Sequence, residues 1–216
     1  MLAPTSWYVM QTDSLQHESK RRLLDAALYV IRTKGYTAAR VEDICEAAGL
    51  TKGSFFHHFK SKEDLALAAA ERWNDLSDSV FRTAPYQSLE GPRERLLAYI
   101  DFRKALLQGN VPEFTCLAGT VVQEVYETHP AICEAYAETI NRQARTLEQD
   151  IAEAMRVYGA TPDWTPLSLA MYVQAVLQGA FTLAKAGGGA APAVECLGHL
   201  RRHFEMLFPD GASNPH

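Results

Sequence analysis

Residues 35–65 read GYTAARVEDICEAAGLTKGSFFHHFKSKEDL, and the middle of this stretch decides the fold. A short helix is expected over about 41–48, stopped by Gly49. Gly49, Leu50 and Thr51 make a three-residue turn, and a second short helix runs from Lys52 to about Phe59. Two short helices joined by a glycine turn form a helix-turn-helix. The turn sets their crossing and lets the second helix protrude, and the major groove of DNA is wide enough to admit one helix. The residue types agree with that geometry. Ile44 and Leu50 are spaced to pack inside a small bundle, and Cys45 is small where two helices must approach closely. The second helix is polar at its start and aromatic at its end. Its first turn offers unpaired backbone N–H groups to a phosphate. Ser54 is small enough to lie against base edges, and Lys60 and Lys62 follow where a DNA backbone would pass.

Outward from this stretch nearly everything reads as helix. Leu23, Ala27, Val30 and Ile31 recur at helical spacing over about 19–34, with Lys20, Arg21, Asp25 and Arg32 on other faces and Gly35 as the stop. Ser61 is a credible N-cap for a helix from Lys62 to about Arg82, with Asp64 three residues on. The turn-rich TAPYQSLEGP separates two regions. Further helices are expected over about 92–108, 112–128, 130–157, 165–186 and 193–208. No strand-period alternation competes and no internal repeat is found, so the chain is all-α with nine helices. The expected division is a tail at 1–17, disordered or loosely helical, a DNA-binding domain at 18–64, a helical body at 65–208 and a short tail at 209–216.

The formal net charge is −5, which looks wrong for a partner of DNA until it is divided along the chain. Between Glu18 and Lys62 nine basic residues stand against five acidic ones, a net of +4, which leaves −9 for the rest. A basic head on an acidic body implies that the head alone meets a polyanion. No run of about 18 apolar residues occurs, so no membrane span is expected. The first residues lack the basic start and apolar core of an export signal, and Cys45, Cys116, Cys133 and Cys196 are scattered without C-x-x-C pairing. Reduced thiols in the cytoplasm are the expectation.

The stretch resembles the DNA-binding domain of the TetR/AcrR family, whose signature is D-I-x-x-x-A-G-x-x-K-G-x-x-Y-x-H-F followed by K-E. Here it is met by Asp43, Ile44, Ala48, Gly49, Lys52, Gly53, Phe56, His58, Phe59, Lys62 and Glu63, within residues 21–67. The resemblance implies that Thr51, Lys52, Gly53, Ser54 and Phe55 face the groove or its edge. It puts Phe56 and His57 where tyrosines often touch phosphate or thymine methyl groups, Lys62 on a phosphate and Arg40 on the DNA backbone. His58 matches a position that packs and hydrogen-bonds within the domain. Ala39 and Arg40 replace a capping Thr or Ser, and Phe56 and His57 lack the tyrosine hydroxyls.

For the body, the resemblance implies a TetR-like ligand-binding and dimerisation domain. A small-molecule inducer would sit among helices four to eight, and helices eight and nine would form a four-helix bundle with a second copy. Ala175, Gly179, Thr182 and Ala186 share one face of the eighth helix, where small residues permit close approach, and Leu200, Phe204 and Leu207 form a stripe on the ninth. Ordinary packing within one subunit is the alternative. A dimer would read a palindromic operator on double-stranded DNA. Trp73, Phe102, Phe114, Tyr172 and Phe181, with Thr120 and Gln178 as polar groups, are the pocket candidates, suited to a small, largely apolar or aromatic compound. Cys116 in EFTCLAGTVVQEVYETHP resembles a cysteine of TetR-type repressors linked to electrophile detoxification. It is either a reactive sensor, with Lys185 as an activating cation, or a buried structural thiol. Cys196, His199 and His203 have metal-ligand spacing but lie on the expected dimer seam, so neither metal nor cofactor is expected. A thiol enzyme is disfavoured because no Cys/His pair has useful spacing and the glycines at 187–189 follow no strand. The intact basic head argues against an adaptor that has lost DNA binding.

Overall fold

A computed structural model describes residues 6–159 and 162–210, with side chains from His17 onward. Ten α-helices and one 3-10 turn follow in order: α1 (Ser6–Lys34), α2 (Val41–Ala48), α3 (Lys52–His58), α4 (Lys62–Arg82), the 3-10 turn (Pro85–Ser88), α5 (Pro92–Ala105), α6 (Val111–Phe114), α7 (Leu117–Val125), α8 (Pro130–Val157), α9 (Pro166–Gly187) and α10 (Ala191–Leu207). No strand occurs among the described residues. The expected eighth and ninth helices are therefore α9 and α10.

Two departures from the expected elements matter. α1 reaches back to Ser6, so much of the stretch expected as a tail has helical backbone; residues 1–5 and 211–216 lie outside the described residues. The single helix expected over 112–128 is divided, because Thr115 and Cys116 take extended backbone between α6 and α7. α6 closes on itself, with the Glu113 carboxylate accepting the Asn110 N–H at 2.6 Å. Arg32 of α1 then holds the Glu113 carbonyl at 3.1 Å, so the break is pinned to the head.

Helix ends elsewhere follow their sequence signals. Gly49 ends α2 at φ 63°, a left-handed conformation that glycine adopts without strain. Thr51 caps α3 by accepting the Ser54 N–H at 3.2 Å, and Ser61 caps α4 by accepting that of Asp64 at 3.2 Å. At α2, where no capping hydroxyl exists, the Asp43 carboxylate accepts the Arg40 N–H at 3.0 Å from inside the helix.

The buried side chains form two cores. Leu23, Ala27, Ile31, Ile44, Phe55, Phe59 and Leu65 of the head are continuous with Leu117, Val121 and Val125 of α7 and Ile132 and Tyr136 of α8. The second core joins α5, the later part of α8, α9 and α10. Cys116 packs against both. Among the described residues α9 alone is long and apolar enough to cross a membrane, but its Leu169, Val173, Leu177, Ala180 and Ala184 are buried in this second core.

Leu200 and Phe204 of α10 are 2% and 1% exposed, filling the subunit's own core with Leu207 packed beside them. That stripe was expected at the dimer seam; a helical period marks an apolar face without saying whose surface covers it. On α9, by contrast, Ala175, Gly179, Thr182 and Ala186 are all exposed.

Candidate nucleic-acid interface and effector cavity

The second helix of the helix-turn-helix, α3, presents two distinct faces. Phe55 is 0% exposed and packs on Phe59, their ring centres 5.7 Å apart. The two are four residues apart and share the inward face. Phe55 is therefore corrected from a groove-facing residue to the anchor that holds α3 to its bundle. Arg40, Thr51, Lys52, Gly53, Phe56 and His57 are exposed and Ser54 is half-buried. Phe56 is a large apolar ring that is 59% exposed, with one edge-to-face contact to Phe55 at 5.1 Å. Lys52 reaches back to an exposed ion pair with Glu42 of α2, worth little in water and open to exchange for phosphate. A Cβ on Gly53 would meet only Thr51 Oγ1 at 3.6 Å, an ordinary contact. Nothing inside the protein demands glycine there, so close approach from outside is the constraint that glycine suits.

Lys62 differs from its expected role. Its ammonium donates to the carbonyls of Tyr36, Ala39 and Thr37 at 3.0, 3.2 and 3.4 Å and lies 4.4 Å from the Tyr36 ring centre. An ammonium has three protons, so this one braces the 35–39 loop instead of standing free for phosphate. From the other side Glu124 of α7 accepts the Thr37 N–H at 2.8 Å. Gly35 sits at φ 85°, and a Cβ there would fall 2.3 Å from Glu124 Oε1. The loop leading into α2 is thus held by α4 and by α7. His58 accepts or donates a 2.6 Å hydrogen bond with Ser19 Oγ, the internal role expected of it, and burial lowers its pKa.

In the body, a cavity of about 240 Å³ is lined by Trp73, Leu76, Val80, Phe81, Phe114, Thr115, Cys116 and Phe181, with Arg32, Arg103, Glu113 and Gln143 as its charged and polar walls. Four of the expected pocket residues, Trp73, Phe114, Cys116 and Phe181, meet here. The others lie elsewhere. Phe102 joins an aromatic cluster with Phe81 and Tyr86, at 5.8 and 5.7 Å. Tyr172 is exposed on α9 with its ring 5.5 Å from His203. Gln178 is pressed onto Gly119 of α7, where a Cβ would fall 1.9 Å from its Oε1. Thr120 accepts a 2.6 Å hydrogen bond from Lys185. A neighbouring cavity of about 350 Å³ between α4, α5 and α8 shares the walls Ser77, Phe81 and Gln143.

Cys116 is the N-cap of α7, and Cys116, Thr120 and Glu124 recur every four residues along that helix. Thr120 Oγ1 donates to the Cys116 carbonyl at 3.0 Å while Lys185 donates to Thr120. Desolvation pulls the Lys185 pKa below its usual value, with the nearby Cys116 and then Glu124 opposing that effect in part. The cation suggested from sequence is therefore in electrostatic reach of both ends of α7. Sequence reasoning missed Arg32, Arg103 and Glu124. Arg32 lies off the apolar stripe of α1 and Glu124 carries no motif; only the docking of α6 and α7 on the head shows what either does.

A helix-turn-helix set in a basic head, on a helical body that carries a cavity, defines a DNA-binding transcriptional regulator. The family described as bacterial regulatory proteins, tetR family, matches residues 23–69, and the tetracyclin repressor-like C-terminal domain matches residues 92–200. The chain belongs to the TetR family, and its relatives are regulators, not enzymes. The transcriptional regulator AcuR of Cereibacter sphaeroides is 27% identical over 80% of this chain and 77% of its own length. The repressor NemR of Escherichia coli is 26% identical over 86% of this chain and 94% of its own. A TetR-family regulator from Agrobacterium tumefaciens shares the fold at a TM-score of 0.77, with 19% identity over 87% of this chain and 98% of that one.

Proposed function

We propose that this protein is a homodimeric repressor that binds a palindromic operator and releases it when a small, largely apolar or electrophilic inducer enters the cavity beside Cys116. Arg40, Thr51, Lys52, Gly53, Ser54, Phe56 and His57 meet the DNA, and α9 with α10 pairs the subunits. The carrying observation is the position of Cys116. It lines the cavity, caps α7 and packs against both cores, and the same helix ends in the carboxylate that holds the loop before α2. An adduct at the sulfur adds volume where α7 starts. Close-packed interiors pass such a change on as a shift of the helix, and Glu124 carries it to the head. Couplings of this kind are worth about 1–3 kcal/mol, roughly 5–150-fold in affinity. With an α,β-unsaturated probe the thiolate forms the S–C bond, and the carbanion produced takes a proton from water or the Lys185 ammonium.

The test is operator binding by fluorescence anisotropy on DNA upstream of the chain's own gene, before and after N-ethylmaleimide, with the adduct located by mass spectrometry. The expected result is at least about a fivefold loss of affinity, abolished in Cys116→Ser. Full alkylation of Cys116 with unchanged affinity would refute the sensing role.

A further inference from the structure

The cavity is richer in hydrogen-bond donors than an apolar ligand requires. Arg32 stacks over Trp73, 5.1 Å from the ring, and Arg103 stacks over Phe81 at 5.0 Å and Tyr99 at 5.9 Å. Neither forms an ion pair among the described residues: Arg32 donates only to the carbonyls of Leu28 and Glu113, and Arg103 only to Gln143 Oε1, at a long 3.3 Å. Other half-buried arginines behave differently, Arg95 being paired with Asp150 at 2.7 Å and Arg201 with Asp101 at 3.0 Å. A guanidinium has five N–H donors in its plane, and stacking on a ring leaves that edge free. Two further wall atoms, Trp73 Nε1 and Thr115 Oγ1, are buried without a partner, and Thr115 is 1% exposed. Buried polar groups ordinarily have partners. The one acid in the wall is Glu113, whose carboxylate is already engaged by the Asn110 N–H. Burial lowers the Arg32 pKa, and the nearby Cys116 and then Glu113 oppose this without matching it.

We infer that the ligand of this cavity is a small carboxylic acid, its carboxylate taken by Arg103 or Arg32 and its apolar or aromatic body lying among Leu76, Val80, Phe114 and Phe181. This inference rests on the reading of the cavity as the effector site and adds an anionic group to the largely apolar inducer proposed there. A carboxylate has acceptor capacity for about four hydrogen bonds, and Arg is the side chain whose fork matches it. At about 240 Å³ the cavity suits an acid of one ring or a short chain.

Benzoate and 3-phenylpropionate are suitable probes because neither alkylates a thiol, with benzamide and 3-phenylpropanamide as neutral counterparts of the same shape. Binding to the full-length protein is read by calorimetry, and operator affinity separately by anisotropy. At least one acid is expected to bind about tenfold more tightly than its amide, as a charge-assisted hydrogen bond provides. Arg103→Gln or Arg32→Gln should remove that preference, and the matching lysine variant should keep part of it, which a folding defect would not. Amides that bind as tightly as the acids, or acids that do not bind at all, would overturn the inference while leaving thiol-based release intact. Acids that bind in an arginine-dependent way without weakening operator affinity would uphold the carboxylate site and refute the effector reading beneath it.

Discussion

Lys52 and Lys62 are both lysines of the motif, ten residues apart, and they do different work. Lys52 is exposed and holds only an exposed acid; Lys62 is bound to three backbone carbonyls. Lys52→Ala should leave the melting temperature within a degree or so and reduce the slope of log affinity against log salt by about one. Lys62→Ala should destabilise the head by about 1–3 kcal/mol, seen as a lower melting temperature in the absence of DNA. Phe55→Ala removes a fully buried ring and should cost about 3–5 kcal/mol, whereas Phe56→Ala should alter stability little and operator affinity more. His58 sets a pH dependence. Burial lowers its pKa from 6.5, so the unfolded chain binds the proton more readily. The stability of the head is complete above about pH 6.5 and declines as pH falls through and below that value; His58→Gln should flatten this limb in melting curves from pH 8 to 5. The spacing of the motif located all these residues. It did not separate inward from outward side chains within a run as short as 51–55, because that depends on which face the bundle covers.

At the scale of elements, α7 and α9 carry the functional reading. α7 joins the cavity at Cys116 to the head at Glu124, and its separation from α6 was not legible, since neither glycine nor proline marks Thr115 or Cys116. Glu124→Gln keeps an acceptor for the Thr37 N–H but weakens it; release by alkylation of Cys116 should be blunted while operator binding of the unmodified protein persists, read by the same anisotropy titration. On α9 the small-residue face was legible because it is unoccupied within the subunit: Ala175 and Gly179 are exposed, and nothing lies within 4 Å of a Cβ placed on Gly179. Ala175→Arg with Gly179→Arg should therefore yield a helical monomer by analytical ultracentrifugation. A dimer that survives both changes would move the interface elsewhere. On α10 the equally regular stripe of Leu200 and Phe204 belongs to the subunit core, which periodicity alone does not distinguish from a dimer seam.

Across the whole molecule, the division of charge organises function. Residues 18–62 carry a net +4 and the rest of the chain −9, which orients the chain toward DNA by its head. The all-helical class and the helix-turn-helix were readable from local spacing and stop signals, since both rest on contacts near in sequence. The cavity was only half readable: aromatic residues are common in any core, and the arginines that distinguish this one reach it from α1 and α5, separated by some seventy residues from one another. The central claim is that the basic head binds specific DNA. Its most direct test is the affinity of the full-length protein for the duplex upstream of its own gene, measured from about 50 to 200 mM salt beside a scrambled duplex. The expected result is a steep, linear fall of log affinity with log salt, a preference for the specific duplex of at least about a thousandfold, and loss of affinity in Gly53→Ala with the melting temperature retained. Binding that is absent, or indifferent to both salt and sequence, would contradict it.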